Sequence, residues 1–96
     1  MSNGGFVYIL SNKRNGTLYI GVTSDLNRRI AEHKAKFIKG FSKTHQLTKL
    51  IYYEEFPTIE EAILREKQLK KWSRVWKIRL IEQANPSWED LAADWE

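Results

Sequence analysis

Phe6-Val7-Tyr8-Ile9-Leu10, then Ser11-Asn12-Lys13-Arg14-Asn15-Gly16, then Thr17-Leu18-Tyr19-Ile20-Gly21-Val22 form the stretch that decides the fold. The first segment is a short, unbroken apolar run, too short for a helix and rich in aromatic and β-branched residues, so it reads as a strand. Asn15-Gly16 supplies two residues that tolerate positive φ, and the second segment follows as another strand, predicting a β-hairpin. Tyr8 and Tyr19 lie on the paired strands, where tyrosine is ordinarily a packing residue. Gly21 is more pointed, because a glycine at a strand end lets a ligand or another backbone approach closely.

Downstream of the hairpin, Ser24 is placed to cap a helix over about Asp25 to Phe37, with Asp25 favourable in its first turn. Leu26, Ile30 and Phe37 recur on one face of that helix. Ile38 to Gln46 is basic, polar and contains Gly40, and reads as a loop. Leu47 to Phe56 reads as a third strand, which Pro57 ends. Thr58-Ile59-Glu60-Glu61 is a capping box opening a helix to about Trp72. Ser73 is set to cap a last helix to about Gln83, stopped by Asn85-Pro86 because proline restricts the residue before it. After Ser87 the chain reads as a short helix or as a tail packed through Trp88 and Leu91. The order ββαβαα predicts a small α+β domain, a three-stranded antiparallel sheet flanked by helices. One such domain accounts for residues 1–96, with its core at about 5–91.

The 96 residues are 42% hydrophobic, enough for a core that any site must border. A domain of this size buries only about 60–65% of its unfolded surface, so its margin of stability is thin. With no cysteine, disulfides, thiol catalysis and thiolate metal sites are excluded. The sequence shows neither a leader peptide nor a membrane span, and the default expectation is a soluble cytoplasmic protein. All 16 basic residues fall between Lys13 and Arg79 alongside seven acids, a local charge of +9, while five acids and no base follow. A basic body with an acidic tail suits a polyanion such as nucleic acid, although ordinary solubility charge gives the same count.

Three residues sit awkwardly in a bland core. Counting from Leu26 at 100° per residue, Ile30 falls at about 40°, Phe37 at about 20° and His33 at about 340°, inside the apolar stripe. Arg29 flanks it one turn earlier. A lone histidine there is usually a satisfied core residue, but an adjacent arginine makes two polar groups that are costly to bury without a reason. Glu66 likewise falls among the apolar positions of its helix, near Ala62 and Ile63. It is the only acid between Arg65 and Arg79. It reads either as a paired structural carboxylate or as a ligand for a hard divalent cation, for which one carboxylate suffices if water and phosphate complete the shell.

Together these positions resemble the GIY-YIG endonuclease family. Phe6-Val7-Tyr8 keeps the tyrosine of the first triplet, and Tyr19-Ile20-Gly21 carries the second triplet intact. Arg29 and His33 match an arginine and a histidine on the following helix. Glu66, within Leu64-Arg65-Glu66-Lys67-Gln68-Leu69, matches a glutamate on a later helix, and Asn85 matches an asparagine near the end. The resemblance runs from about Gly5 to Leu91 and is nearest to the short stand-alone bacterial members. It implies a metal-dependent DNA endonuclease that uses Mg2+ or Mn2+ held by Glu66, in repair, recombination or DNA processing. Tyr8, Tyr19, Arg29, His33 and Glu66 would be catalytic. A tyrosine, assisted by His33, would activate water, and the planar fork of Arg29 would bind the phosphate. Gly21, Lys34, Lys36, Lys67, Lys70, Lys71, Arg74 and Asn85 would contact the nucleic acid, with Lys39, Lys43 and Lys77 further along the same tracks.

Trp72 and Trp76 read first as packing between the last helices, and otherwise as platforms for exposed bases. The rival readings are a non-catalytic nucleic-acid-binding module that keeps the fold, and a protein adaptor anchored by Trp72, Trp76 and Trp88. The first predicts a broken catalytic set. The second predicts binding insensitive to salt.

Overall fold

The computed structural model of the chain describes residues 4–35 and 47–95. Strands β1 (Gly5–Ser11) and β2 (Leu18–Thr23) form the expected hairpin. Asn15 takes φ 57°, the left-handed conformation its turn requires. Strand β3 (Lys49–Phe56) follows helix α1 (Leu26–Lys34), and α2 (Ile59–Lys71) and α3 (Arg74–Ala84) complete the order. The three strands form one antiparallel sheet in the order β2-β1-β3. Tyr8 pairs with Gly21 on one side and Tyr53 on the other.

Because β1 is central and covered on both faces, its apolar run does not alternate with polar residues. Val7 and Ile9 turn to one face, where Ile20, Ile51, Ala62, Leu69, Ile81 and Trp88 bury with them under α2 and α3. Tyr8 and Leu10 turn to the other, against Leu26 and Ile30 of α1, Leu47, Leu50 and Ala92. Residues on α1 and α2 therefore belong to opposite faces of the sheet.

Helix α1 starts one residue later than the sequence suggests. Asp25, not Ser24, is its N-cap, with the carboxylate accepting from the backbone N–H of Arg28 at 3.1 Å. Thr23 fixes the preceding turn, its hydroxyl accepting from Asp25 N at 3.1 Å. Such a cap contributes about 1 kcal/mol. Burial of Leu26 and Ile30 contributes roughly 1.5–3 kcal/mol each, so packing, not capping, holds the helix. The expected continuation to Phe37, and the loop expected at 38–46, lie outside the described residues.

Thr58 caps α2 as expected, accepting from Glu61 N at 3.2 Å, and its hydroxyl donates to the Glu61 carboxylate at 3.0 Å. Ser73 caps α3 by accepting from Trp76 N. Beyond Asn85 the chain is a tail, not a helix. Trp88 is buried at φ 57°, but Leu91 is exposed, and Ala92 takes the inward place expected of it. Leu91 N–H donates to Leu50 O at 2.7 Å, pinning the tail to β3.

Candidate active site

The hairpin and α1 bring four of the sequence-predicted residues together. Tyr8, Tyr19 and His33 form a triangle of rings, with centroids 6.3 Å apart for the two tyrosines, 5.8 Å for Tyr8 and His33, and 5.7 Å for Tyr19 and His33. The Tyr8 hydroxyl lies 3.3 Å from His33 Nε2. Arg29 sits one turn before His33 on the same helix, and its positive charge acts on the Tyr8 hydroxyl. Tyr8 and His33 are buried, whereas Tyr19 and Arg29 keep exposed surface.

Burial dominates the electrostatics. It raises the Tyr8 hydroxyl to a pKa of about 12, helped by Tyr19, and the positive charge of Arg29 offsets only part of this. Burial also pushes His33 below its ordinary value of 6.5, and Arg29 pushes it further, against the opposing pull of Glu32. At neutral pH the resting pair is a protonated tyrosine beside a neutral imidazole. His33 is thus the better proton acceptor of the two in this state, because burying a phenolate costs more than the charge of Arg29 returns.

Gly21 is where the sequence suggested close approach, but what approaches is the Tyr8 ring. A Cβ built at Gly21 would lie 2.5 Å from Tyr8 Cζ and Oη. The glycine seats a catalytic candidate and leaves no room there for substrate. Glu32, which the sequence reading passed over, bridges two arginines, at 3.5 Å from Arg28 Nε and 3.4 Å from Arg29 Nε. Its i,i+4 and i,i+3 spacing from them was the available signal. Thr23, Ser24, Asp25, Arg28, Arg29 and Glu32 line a polar cleft of about 250 Å³ beside the triangle.

Glu66 comes from α2, which packs along β1 and the edge strand β2 on the face opposite α1. Its side chain is only 16% exposed and pairs with Lys70 Nζ at 3.2 Å. Among the described residues no group of three His, Cys, Asp or Glu could cage a metal ion. A largely buried carboxylate oxygen nevertheless fits a magnesium-type ion, which keeps several waters and needs one or two carboxylates.

The expected nucleic-acid contacts divide. Lys67 and Lys71 are exposed on α2. Lys34 is matched to Asp90 in an ion pair, and that carboxylate also accepts from Leu50 N at 3.1 Å and Ala92 N at 3.0 Å. Arg74 donates to the carbonyls of Asn15 and Gly16 at 2.7 Å each, tying α3 to the hairpin turn. Asn85 is buried and committed to backbone. Its Nδ2 donates to Ile51 O at 3.0 Å and Glu89 O at 2.8 Å, and its Oδ1 accepts from Glu89 N at 3.0 Å. These bonds make Asn85 a clasp for the tail. Lys36, Lys39 and Lys43 lie outside the described residues.

A hairpin that presents two tyrosines to an arginine and a histidine on the next helix, with a carboxylate on a later one, defines a nuclease-type α+β domain. Residues 4–79 match the family described as the GIY-YIG catalytic domain. The chain is 38% identical over 78 residues to the UPF0213 protein SH2523 of Staphylococcus haemolyticus, and 35% identical over 78 residues to a UPF0213 protein of Staphylococcus saprophyticus. Each match covers 81% of this chain and 94% of the relative. Its fold is similar to the solution NMR structure of the UPF0213 protein BH0048 of Bacillus halodurans, with a TM-score of 0.57, 28% identity, and coverage of 97% and 99% of the two chains. The chain belongs to the GIY-YIG family, a nuclease family whose substrate is nucleic acid. No helix among the described residues is long and apolar enough to cross a membrane.

Proposed function

We propose that this chain is a metal-dependent endonuclease that hydrolyses phosphodiester bonds in DNA during repair, recombination or processing. The observation that carries the reading is the buried Tyr8–His33 contact with Arg29 set against it. Buried titratable groups shifted from their ordinary pKa and set against a charged partner cluster at functional sites.

In this mechanism Arg29 binds the non-bridging oxygens of the scissile phosphate, releasing Glu32, and its two-pronged donor stabilises the charge that grows there. Tyr19, with exposed surface, orients the phosphate and the attacking water. As the water oxygen bonds to phosphorus, its proton passes to the Tyr8 hydroxyl while the tyrosine proton moves to neutral His33 Nε2; the bond to the leaving oxygen breaks, that oxygen takes a proton from solvent, and His33 returns its proton to solvent. Tyr8 has no exposed surface in this state, so substrate entry must open the cluster around it. Glu66 would hold one Mg2+ or Mn2+, which supplies Lewis-acid neutralisation of the phosphate and leaving oxygen. Exposed lysines of α2 track the backbone and confer affinity without reading sequence, and among the described residues no element is left over to enter a groove and read base edges.

The test is incubation with linear, nicked, flapped and branched DNA in Mg2+, Mn2+ or EDTA, beside Glu66→Gln. Cleavage is expected only with a divalent ion and is lost in Glu66→Gln, while DNA binding and the melting curve persist. Cleavage in EDTA or by Glu66→Gln refutes the one-metal reading. Binding without cleavage under every condition refutes catalysis and leaves a nucleic-acid-binding module.

A further inference from the structure

The corner between α2 and α3 carries aromatic surface that neither the core nor the active site uses. Trp72 is half-buried, packs against the core, and takes the Arg65 guanidinium at 5.2 Å over its ring. Trp76 meets Trp72 edge-on, with centroids 5.7 Å apart, but is 59% exposed. On α3 it stands about 140° round the helix from buried Ile81, so it points away from the sheet. Trp72, Ser73 and Trp76 line a shallow hollow of about 340 Å³.

The surroundings select the occupant. From Lys67 to Arg79 the chain has six basic residues and no acid; Lys70 pairs with Glu66 and Arg74 binds the Asn15 and Gly16 carbonyls, which leaves Lys67, Lys71, Lys77 and Arg79. An indole face within a cationic field matches a partner with flat rings on a polyanionic backbone, in which each base has a face to stack and each linkage a charge to neutralise. Stacked bases of a duplex hide their faces, so the match is to unpaired nucleotides. Trp72 lies six residues beyond Glu66, about 9 Å along α2 and its end, a reach of one or two nucleotides.

We infer that Trp76, backed by Trp72, stacks an unpaired base flanking the cleavage point, making single-stranded or branched DNA the preferred substrate. This rests on the endonuclease reading for its purpose but not for its test. The experiment is a fluorescence titration of the full chain in EDTA with a short oligothymidylate and with a duplex of equal length, using the parent, Trp76→Phe and Trp76→Ala. Trp76 is exposed, so neither substitution threatens folding. Stacking predicts quenching of the parent by the oligothymidylate. It also predicts binding about five- to a hundred-fold weaker in Trp76→Ala, with partial recovery in Trp76→Phe. Duplex affinity, carried by phosphate contacts, stays near the parent's. Unchanged oligothymidylate affinity in Trp76→Ala overturns the inference. So does an equal loss on both DNAs, or sedimentation showing that the substitution dissociates a dimer of the free chain. Because nothing is cleaved in this assay, failure of the nuclease reading leaves its outcome standing, and failure of the stacking inference leaves cleavage by Mg2+-loaded protein untouched.

Discussion

Substituting Gly21→Ala adds one methyl group and removes no side chain assigned to the chemistry. That methyl would lie 2.5 Å from both Cζ and Oη of Tyr8, closer than non-bonded atoms tolerate. The neighbour is no flexible side-chain end free to swing aside. Tyr8 has no exposed surface and is packed between β1 and α1. The ring must shift or the strands must part, and overpacking of this kind costs about 1–3 kcal/mol. For a domain of this length that is a fall in Tm of roughly 4–20 °C. The shift also strains the 3.3 Å contact between the Tyr8 hydroxyl and His33, so cleavage falls in the surviving folded protein. Urea denaturation gives the stability and single-turnover cleavage gives the rate. Trimming Tyr8 to leucine in the Gly21→Ala background should recover stability but not activity, because it removes the clash and the hydroxyl together. If Gly21→Ala melts and cleaves like the parent, the seating of Tyr8 on Gly21 is wrong, and with it the assembled triangle.

Arg29→Lys keeps the charge but loses the fork, so cleavage at saturating DNA should fall by about 10²–10³ with affinity near the parent's, and parent-like cleavage would refute the phosphate role of Arg29. Lys34→Ala should instead cost about 1 kcal/mol of stability with little change in DNA affinity, since Asp90 already matches its charge, and unfolding and binding curves together check both halves. Asn85→Ala removes three hydrogen bonds from a buried clasp and should cost roughly 2–4 kcal/mol in urea titration. Its folded fraction should cleave normally, and selective loss of activity would restore Asn85 to the site. Because burial lowers the folded pKa of His33, the unfolded chain binds the extra proton in the window from 6.5 downward. Stability from this group is therefore full above 6.5 and lost as pH falls through the folded value. The acid limb of cleavage should likewise lie below 6.5, with cleavage itself lost in His33→Phe, and a limb above 7 would refute His33 as proton acceptor.

The local order of this protein is written in its sequence. Asn15-Gly16 between two apolar segments sets the hairpin, Thr58 and Ser73 cap their helices, and Asn85-Pro86 stops the last one, because turns and caps depend on residues within one helical turn of each other. The burial of His33 followed from helical periodicity alone, and the Tyr19-Ile20-Gly21 motif with Arg29 and Glu66 was enough to indicate the family. The exact start of the first helix was not legible, for Asp25 and not Ser24 accepts from its free backbone N–H groups. What spans the chain was not legible. Lys34 and Asp90 meet across 56 residues and Asn85 reaches Ile51 across 34, pairings with no sequence period. The ring that fills the space at Gly21 comes from the partner strand, so the glycine alone could not say whether protein or ligand takes that space. The state of Tyr8 was set by tertiary structure as well. Arg29 is beside it, as the sequence implied, but enclosure by sheet and helix removes water from the hydroxyl, and that desolvation outweighs the neighbouring charge.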